Sequence, residues 1–376
     1  MNKKEIAELR KLFKPETTAI DFVVTAFVKH TENGTEITSI EKNRLLAMDD
    51  SEIFKYLDIS KRTLSGTLEK NLLNIDLPTA ECREGGCQDR LYKLLSSNFS
   101  DDDMLEDFIT LIAENYDAAE HLMIQLVHGS YDVPVKTKDR QEQDESDTVY
   151  DYMICSICPM ILEKAGICYD MKENTFKPIK QKLIADKPVA GFLYPAFNDR
   201  ATDLYQALFY TKKIKEIHSE FIAAMTGGKI PVPADMQQKL FGDIITKVTE
   251  SMDFENTKSI HGEIRARIDN RHFNEEDTHI SKSDIKDIIT SAIGDVSDDE
   301  INKAYDDVMA DYDDKTLTLE NIMDTTKFNV GVPDIEIKVK PDRTQDIEQK
   351  MIEGRKCFVI PVMGNIEVNG VPISDN

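Results

Sequence analysis

Long apolar runs are missing from this chain of 376 residues. No window approaches the roughly 18 consecutive apolar residues that a membrane-spanning helix needs, so none is predicted. The first thirteen residues mix charged and apolar side chains and contain no apolar stretch of the kind found in a signal peptide. We therefore expect a cytoplasmic protein without a membrane partner.

Cysteine is also scarce, since six cysteines in a chain of this length do not form a disulfide framework. Two of them, Cys155 and Cys158, have the spacing of a zinc ligand pair or a redox pair. They lie in an apolar, strand-like run, where side chains three positions apart point to opposite faces. The favoured interpretation is a pair of buried structural cysteines with no bound metal, and metal or redox roles are the alternatives.

Basic residues are fewer than acidic ones. The chain contains 46 Lys and Arg and 70 Asp and Glu, which gives a net charge of −24. Such a surface favours solubility and opposes a general attraction to DNA, RNA or anionic lipid. Local basic clusters can still contact phosphates if two of them adjoin. The clusters are Lys177, Lys180 and Lys182; Lys212, Lys213 and Lys215; Arg265, Arg267 and Arg271; and Lys338, Lys340 and Arg343.

The common catalytic motifs are missing as well. Residues 226–230 contain two glycines and a lysine, but Ala223 replaces the first glycine of a phosphate-binding loop. No nucleophile elbow, kinase motif set or dinucleotide fingerprint is present, and no cofactor is predicted. The acidic residues that begin at Asp311 do not match a calcium-binding loop. The sixth position of such a loop requires glycine and is Thr316 here, and the twelfth requires glutamate and is Ile322.

The patterns that are present predict an α+β fold with a mostly antiparallel sheet. Strand-like segments flank Asn33-Gly34, a pair typical of a tight hairpin. Apolar residues recur mainly at helical spacing after residue 212. Near residue 335, apolar and polar residues alternate strictly, as they do in a half-buried strand. We predict a mixed α/β core over 1–210 with an exposed loop at 136–147, a helical segment over 211–326, and a small β subdomain over 327–376.

One group of polar residues follows the predicted strand 191–195 and precedes a helical-looking stretch. It contains Asn198, Asp199, Arg200 and Asp203. Strand ends are where α/β folds place their sites, so the two aspartates are candidates for cation binding or acid–base catalysis. Arg200 is a candidate clamp for a carboxylate or phosphate, and Asn198 a candidate binding residue. The alternative is helix capping by Asn198 or Asp199, with Arg200 paired to an acidic neighbour.

A second polar group ends another predicted strand and consists of His128, Tyr131 and Asp132. A histidine near a tyrosine and an aspartate can support proton transfer, so His128 is a further catalytic candidate and the other two are binding candidates. An ordinary turn at the end of a strand is the alternative. Convergence of His128 with Asp199 would favour a functional site.

Four segments together resemble a bacterial, full-length family of unknown function. They are Lys61–Gly66, Cys155–Pro159, Pro195–Arg200 and Val368–Val371. The resemblance implies a bacterial cytoplasmic protein and supplies no activity. In its order of elements, and most closely over 326–366, the chain is also loosely similar to bacterial nucleoid-associated proteins, which implies an acidic protein found with DNA.

Three hypotheses follow from the sequence. The first is a non-enzymatic, nucleoid- or DNA-associated protein that uses local basic patches. The second is an enzyme of unknown chemistry with its polar site at Asn198–Asp203. The third is an interaction scaffold whose helical segment contacts protein partners.

Overall fold

The computed structural model describes residues 1–116, 119–136, 142–178, 181–249, 252–274, 278–294, 296–362, 364–368 and 370–373. The chain separates into two compact units, Met1–Pro233 and Ala234–Asn376. The three-part division into 1–210, 211–326 and 327–376 stays a prediction.

The first unit is built on one large sheet in which every pairing is antiparallel. Its elements in chain order are α1 (Lys3–Leu9), β1 (Ile20–Thr31), β2 (Gly34–Arg44), α2 (Asp50–Thr63), β3 (Leu72–Asp76), α3 (Cys87–Ser96), α4 (Asp102–Glu114), β4 (His121–Lys136), β5 (Glu142–Leu162), β6 (Ile167–Asp170), β7 (Thr175–Pro178), β8 (Leu183–Ala185), β9 (Ala190–Tyr194), β10 (Ala196–Asn198), β11 (Ala201–Asp203), β12 (Gln206–Thr211) and α5 (Ser219–Thr226). The strand order is β2-β1-β4-β5-β9-β12-β3, with β8 paired to the end of β5.

Helices cover both faces of this sheet and create two apolar cores. Helices α1 and α2 contribute Ile6 and Leu57 to one core, and α4 and α5 contribute Phe108 and Phe221 to the other. Successive residues of a strand point to opposite faces, so neighbours such as Ile154 and Cys155 enter different cores. The unit is a three-layer structure with a buried antiparallel sheet.

Several sequence predictions for this unit are confirmed and two need correction. The hairpin at Asn33-Gly34 joins β1 to β2, and Gly227, in a left-handed conformation, ends α5. Of the exposed loop predicted at 136–147, residues 142–147 belong to β5, and residues 137–141 lie outside the described residues. The helix predicted after Asp203 is wrong. Strand β12 occupies 206–211 and is buried on both sides, so its short apolar run has no period that distinguishes a strand from a helix.

The second unit begins with helices whose connecting loops pair with each other. Its elements are α6 (Ala234–Val248), α7 (Phe254–Asn274), β13 (His279–Ile280), α8 (Lys282–Ile293), α9 (Asp298–Val308), β14 (Leu317–Thr318), α10 (Leu319–Ile322), β15 (Phe328–Val332), β16 (Ile335–Val339), β17 (Glu348–Ile352), β18 (Arg355–Val359), β19 (Ile366–Val368) and β20 (Val371–Ile373). Ile280 pairs with Leu317, and both are fully buried. The Gln237 side chain on α6 accepts a hydrogen bond from the backbone N–H of Thr318 at 2.7 Å. This bond connects the first helix of the unit to the β13–β14 ladder.

The acidic turn at 311–314 leads into this ladder. Asp314 Oδ1 accepts hydrogen bonds from the N–H and the hydroxyl of Thr316, at 2.8 and 2.7 Å. That carboxylate oxygen is therefore engaged within its own turn.

The tail consists of three hairpins, β15–β16, β17–β18 and β19–β20, which form separate two-stranded sheets. The first two pack beside the start of α7, where the Phe254 ring lies 5.9 Å from Phe328 and 5.1 Å from Phe358. The predicted fold class is confirmed: the protein is α+β, with a mostly antiparallel sheet, a helical segment and small β elements at the end. Within the described ranges, no helix has the length and apolar character needed to cross a membrane.

Candidate functional site

The Asn198–Asp203 segment is a tight β-hairpin. Strand β10 pairs with β11 so that Asn198 lies opposite Ala201, which leaves Asp199 and Arg200 as the two turn residues. Their φ angles are 51° and 57°, and two consecutive positive values are typical of the type I′ turn that matches the twist of a hairpin. The helix-capping alternative is therefore wrong for Asn198 and Asp199, because a strand and not a helix follows.

Helix α1 holds this turn through two glutamates. The Asp199 N–H donates to Glu5 Oε1 at 2.8 Å. The guanidinium of Arg200 forks onto Glu8, with Nη2 2.8 Å from Oε1 and Nε 3.2 Å from Oε2. Tyr131 donates its hydroxyl to the same Glu8 carboxylate at 3.0 Å. Arg200 is thus paired with an acidic neighbour, and its bidentate face is occupied by a residue of the same chain.

Asn198 and Asp203 belong to a chain of hydrogen bonds along the neighbouring strands. The Asn198 amide donates to Asp203 Oδ2 at 2.7 Å and to Gln206 Oε1 at 3.1 Å. The other Asp203 oxygen accepts the N–H of Tyr205 at 3.0 Å, and Gln206 donates to Asp76 at 2.8 Å. Each of these polar groups has an internal partner, so the cluster is explained without a substrate.

The pKa values of Tyr131 and Arg200 in this cluster are shifted away from neutral pH. Burial, followed by the hydrogen bond to Glu8, raises the pKa of Tyr131 to about 12. Hydrogen bonding to Glu8 also raises the pKa of Arg200. A general acid or base works best when its pKa lies near the operating pH, and both shifts lead away from it.

His128 lies on the other side of the sheet from this cluster. Its ring packs edge to face on Phe99, with centroids 5.7 Å apart, in the core that α3, α4 and α5 cover. Tyr131, three positions along β4, points to the opposite core and contacts Phe197 at 6.0 Å. The convergence of His128 with Asp199 does not occur. The structure brings Tyr131 to the Asn198–Asp203 hairpin, leaves His128 apart, and places Asp132 at an exposed position.

The environment of His128 favours its neutral form. The side chain is 3% exposed, and burial lowers its pKa, although the nearby Asp21 and Asp151 charges oppose this effect. Its Nδ1 lies 3.5 Å from Asp21 Oδ2. The arrangement is that of a core histidine beside an exposed carboxylate.

Cys155 and Cys158 are both fully buried. Burial raises the pKa of both thiols, that of Cys158 to about 12, which opposes the thiolate that metal binding or nucleophilic attack requires. The geometry agrees with the structural interpretation of this pair. In the part of the chain that the structure describes, no group of three or more His, Cys, Asp or Glu side chains is placed to hold a metal ion.

A buried polar cluster under α2 was not predicted from the sequence. Thr63 Oγ1 lies 2.7 Å from Ser156 Oγ, and Gln125 donates to Ser60 Oγ at 2.9 Å, all on side chains that are at most 1% exposed. Gly191 lies against this cluster, since a Cβ there would meet Thr63 Cγ2 at 2.8 Å. Thr63 and Ser156 belong to two of the segments that carry the family resemblance, so those segments meet in the core.

Most members of the predicted basic clusters contact carboxylates in the described residues, outside which Lys180 lies. Arg265 contacts Asp342 at 2.6 Å, and Arg271 contacts Asp284 at 3.1 Å. Such pairing lowers the local positive potential available to a phosphate. The other contacts of these clusters are Arg265 with Asp269, Arg267 with Glu263, Lys177 with Asp170 and Glu173, Lys212 with Asp186, Lys213 with Glu216, Lys338 with Glu336, and Arg343 with Asp346.

Fold and site together define an α+β protein whose predicted polar site is a closed, hydrogen-bonded network between α1 and a hairpin. The chain belongs to the family described as a domain of unknown function, DUF4317, whose model matches residues 1–371. The predicted resemblance to a full-length family of unknown function is therefore confirmed. No curated protein matches the chain.

Proposed function

We propose that the protein is a non-enzymatic interaction scaffold that binds protein partners through its C-terminal hairpins. The observation that carries the proposal is a set of large apolar side chains on the tail that are 43–64% exposed. The set comprises Val332, Ile335, Met351, Ile352, Ile360, Val362, Val368, Val371 and Ile373.

The low stability of isolated hairpins explains why these exposed side chains favour the binding of a partner. A two-stranded hairpin is only marginally stable alone in water, and each tail hairpin pairs solely with itself in the described residues. In β19–β20 the register places Val368 opposite Val371 and Ile366 opposite Ile373, which makes one face apolar. Open strand edges beside apolar faces are the surfaces on which an added strand docks.

The tail supports this role better than the helical segment that the scaffold hypothesis first named. Between residues 211 and 326, the large apolar side chains with substantial exposure in the described residues are Ile214, at 36%, and Phe273, at 87%. Single exposed apolar residues are ordinary on protein surfaces, whereas grouped ones mark interaction sites.

Site-specific cross-linking in the full chain tests the proposal. A photo-reactive residue at Ile335, at the exposed end of the apolar face whose other end, Phe328 and Val330, is buried, is expected to capture a discrete protein in cells. The same residue at Asn329, on the polar face opposite Lys338, is the matched control. The captured protein, once purified, should bind the Ile335→Glu chain at least about tenfold more weakly, ~1.4 kcal/mol, and bind Asn329→Glu as before. Equal capture at both positions, or none at Ile335, contradicts the proposal.

DNA association ranks second. It rests on the loose similarity to nucleoid-associated proteins and on the basic clusters, most of whose cations contact carboxylates. Titration of the full chain with duplex DNA at increasing salt separates the two roles, because phosphate contacts give affinity that falls steeply with salt. Microscopy of the tagged chain would also distinguish a nucleoid location from the diffuse distribution expected for a cytoplasmic scaffold.

An enzyme built on Asn198–Asp203 ranks third, since its polar groups satisfy one another. The enzyme hypothesis would be supported if a small molecule bound to the chain and Arg200→Lys abolished that binding without unfolding the protein.

A further inference from the structure

We infer that the hairpin arm, β6–β7 with its turn (residues 167–178), is a self-association surface that joins two copies of this chain. The register pairs Ile167 with Pro178 and Tyr169 with Phe176, which places these four side chains on one face. Ile167 is 76% exposed, Phe176 72% and Tyr169 49%. The Tyr169 and Phe176 rings contact each other edge to face at 5.1 Å and leave their outer surfaces uncovered.

The other face of the arm is polar and already satisfied. Lys177 lies 3.1 Å from Asp170 and 2.6 Å from Glu173. The arm is therefore amphipathic, and it pairs with no other strand in the described part of the chain. Because an isolated hairpin of this kind is marginal in water, a second apolar layer over the Tyr169–Phe176 face would stabilise it.

The size of the apolar face suits a symmetric dimer. With Met171, at 83% exposure, the face presents on the order of 500 Å² if each large side chain offers roughly 200 Å². A standard interface buries about 800 Å² on each partner. The adjoining ends of β5 and β8 can supply the remainder, because the paired residues Ile161 and Ile184 share one face there and are 45% and 43% exposed. A two-fold axis through the arm would pack the same face against itself.

Charge favours a second copy over an anionic surface. Residues 163–178 carry three acids and three lysines and are therefore neutral, whereas the whole chain carries −24. Two such molecules repel each other least where the contacting surfaces have no net charge. A lipid surface rich in anionic headgroups offers a neutral arm no net attraction and repels the acidic body. The charged residues are Glu163, Lys164, Asp170, Lys172, Glu173 and Lys177.

Sedimentation velocity of the full chain over a range of concentrations tests the inference. The wild-type protein is expected to reach about twice its 42.8 kDa mass. Phe176→Glu should raise the dimer dissociation constant at least about tenfold, ~1.4 kcal/mol. Cys168→Glu is the matched control, because it adds the same charge to the same hairpin on the polar face, opposite Lys177. This control should remain dimeric.

Added salt gives an independent readout. Screening of the repulsion between two acidic bodies should strengthen the dimer, whereas binding to DNA or anionic lipid weakens with salt. A wild-type chain that stays monomeric at roughly 100 μM, where even weak standard interfaces associate, overturns the inference. So does a dimer that Phe176→Glu leaves intact, or binding of monomers to anionic vesicles that Phe176→Glu removes. The proposed tail function is unaffected by these outcomes, because its variants lie on other hairpins.

Discussion

At the scale of single residues, Arg200 combines an ion pair with an unfavourable backbone conformation. Its φ of 57° suits glycine, and its guanidinium forks onto the half-buried Glu8. We expect Arg200→Ala to lower the free energy of unfolding by about 1–3 kcal/mol, because it removes the two guanidinium donors, Nε and Nη2, from the Glu8 carboxylate. Arg200→Gly should cost about 1 kcal/mol less than alanine, since it removes the left-handed strain. Urea unfolding of both variants measures the difference, and equal costs would contradict the role assigned to the turn.

His128 gives a second prediction at this scale. Burial lowers its pKa in the folded protein, so the unfolded chain binds the proton more tightly. The free energy of unfolding should therefore fall as the pH drops below about 6.5, the ordinary histidine value, toward the lower folded pKa. Replacement by phenylalanine, which can pack on Phe99, should flatten the stability profile between pH 7 and 5. His121→Phe on the same strand, where the side chain is 27% exposed, is the control for the effect of the substitution itself.

At the scale of elements, the Thr63–Ser156 hydrogen bond joins α2 to β5 within their shared core. Thr63 also reaches the Ile59 carbonyl at 3.2 Å, so Ser156→Ala leaves it a partner. Thr63→Val instead removes the hydrogen-bond partner of the buried Ser156 hydroxyl. It should lower the free energy of unfolding by about 1–3 kcal/mol, more than Ser156→Ala does. The double variant should cost less than the sum of the two singles. Additive costs in a double-mutant cycle would show that the two hydroxyls do not interact.

The same elements show which parts of the fold can be predicted from the sequence. Local signals were enough for the Asn33-Gly34 hairpin and the Gly227 helix end, because turn chemistry fixes both. The sequence predicts a helix where β12 forms, because burial on both faces removes the alternation of apolar and polar residues that identifies a strand. The partners of Arg200 were out of reach, since Glu8 lies 192 positions earlier and only the folded sheet brings α1 to that hairpin.

At the scale of the whole molecule, the net charge of −24 should set the response to salt. Most ion pairs are exposed and contribute about 0–1 kcal/mol each, so screening them removes little stability. Screening of the excess negative charge acts over the whole surface, because the Debye length falls from about 10 Å at 0.1 M to about 3 Å at 1 M salt. We therefore expect the urea midpoint to rise with NaCl.

The acidic stretch at 298–314, with eight carboxylates and one lysine, should contribute to this effect. Asp311→Asn removes one exposed negative charge there, so it should stabilise the protein at low salt and have no effect near 1 M, where the screening length is about 3 Å. Lys303→Gln removes the single positive charge of the stretch and should do the reverse. A midpoint that falls with salt, or an Asp311→Asn effect that persists at 1 M, would mean that specific ion pairs outweigh the general repulsion.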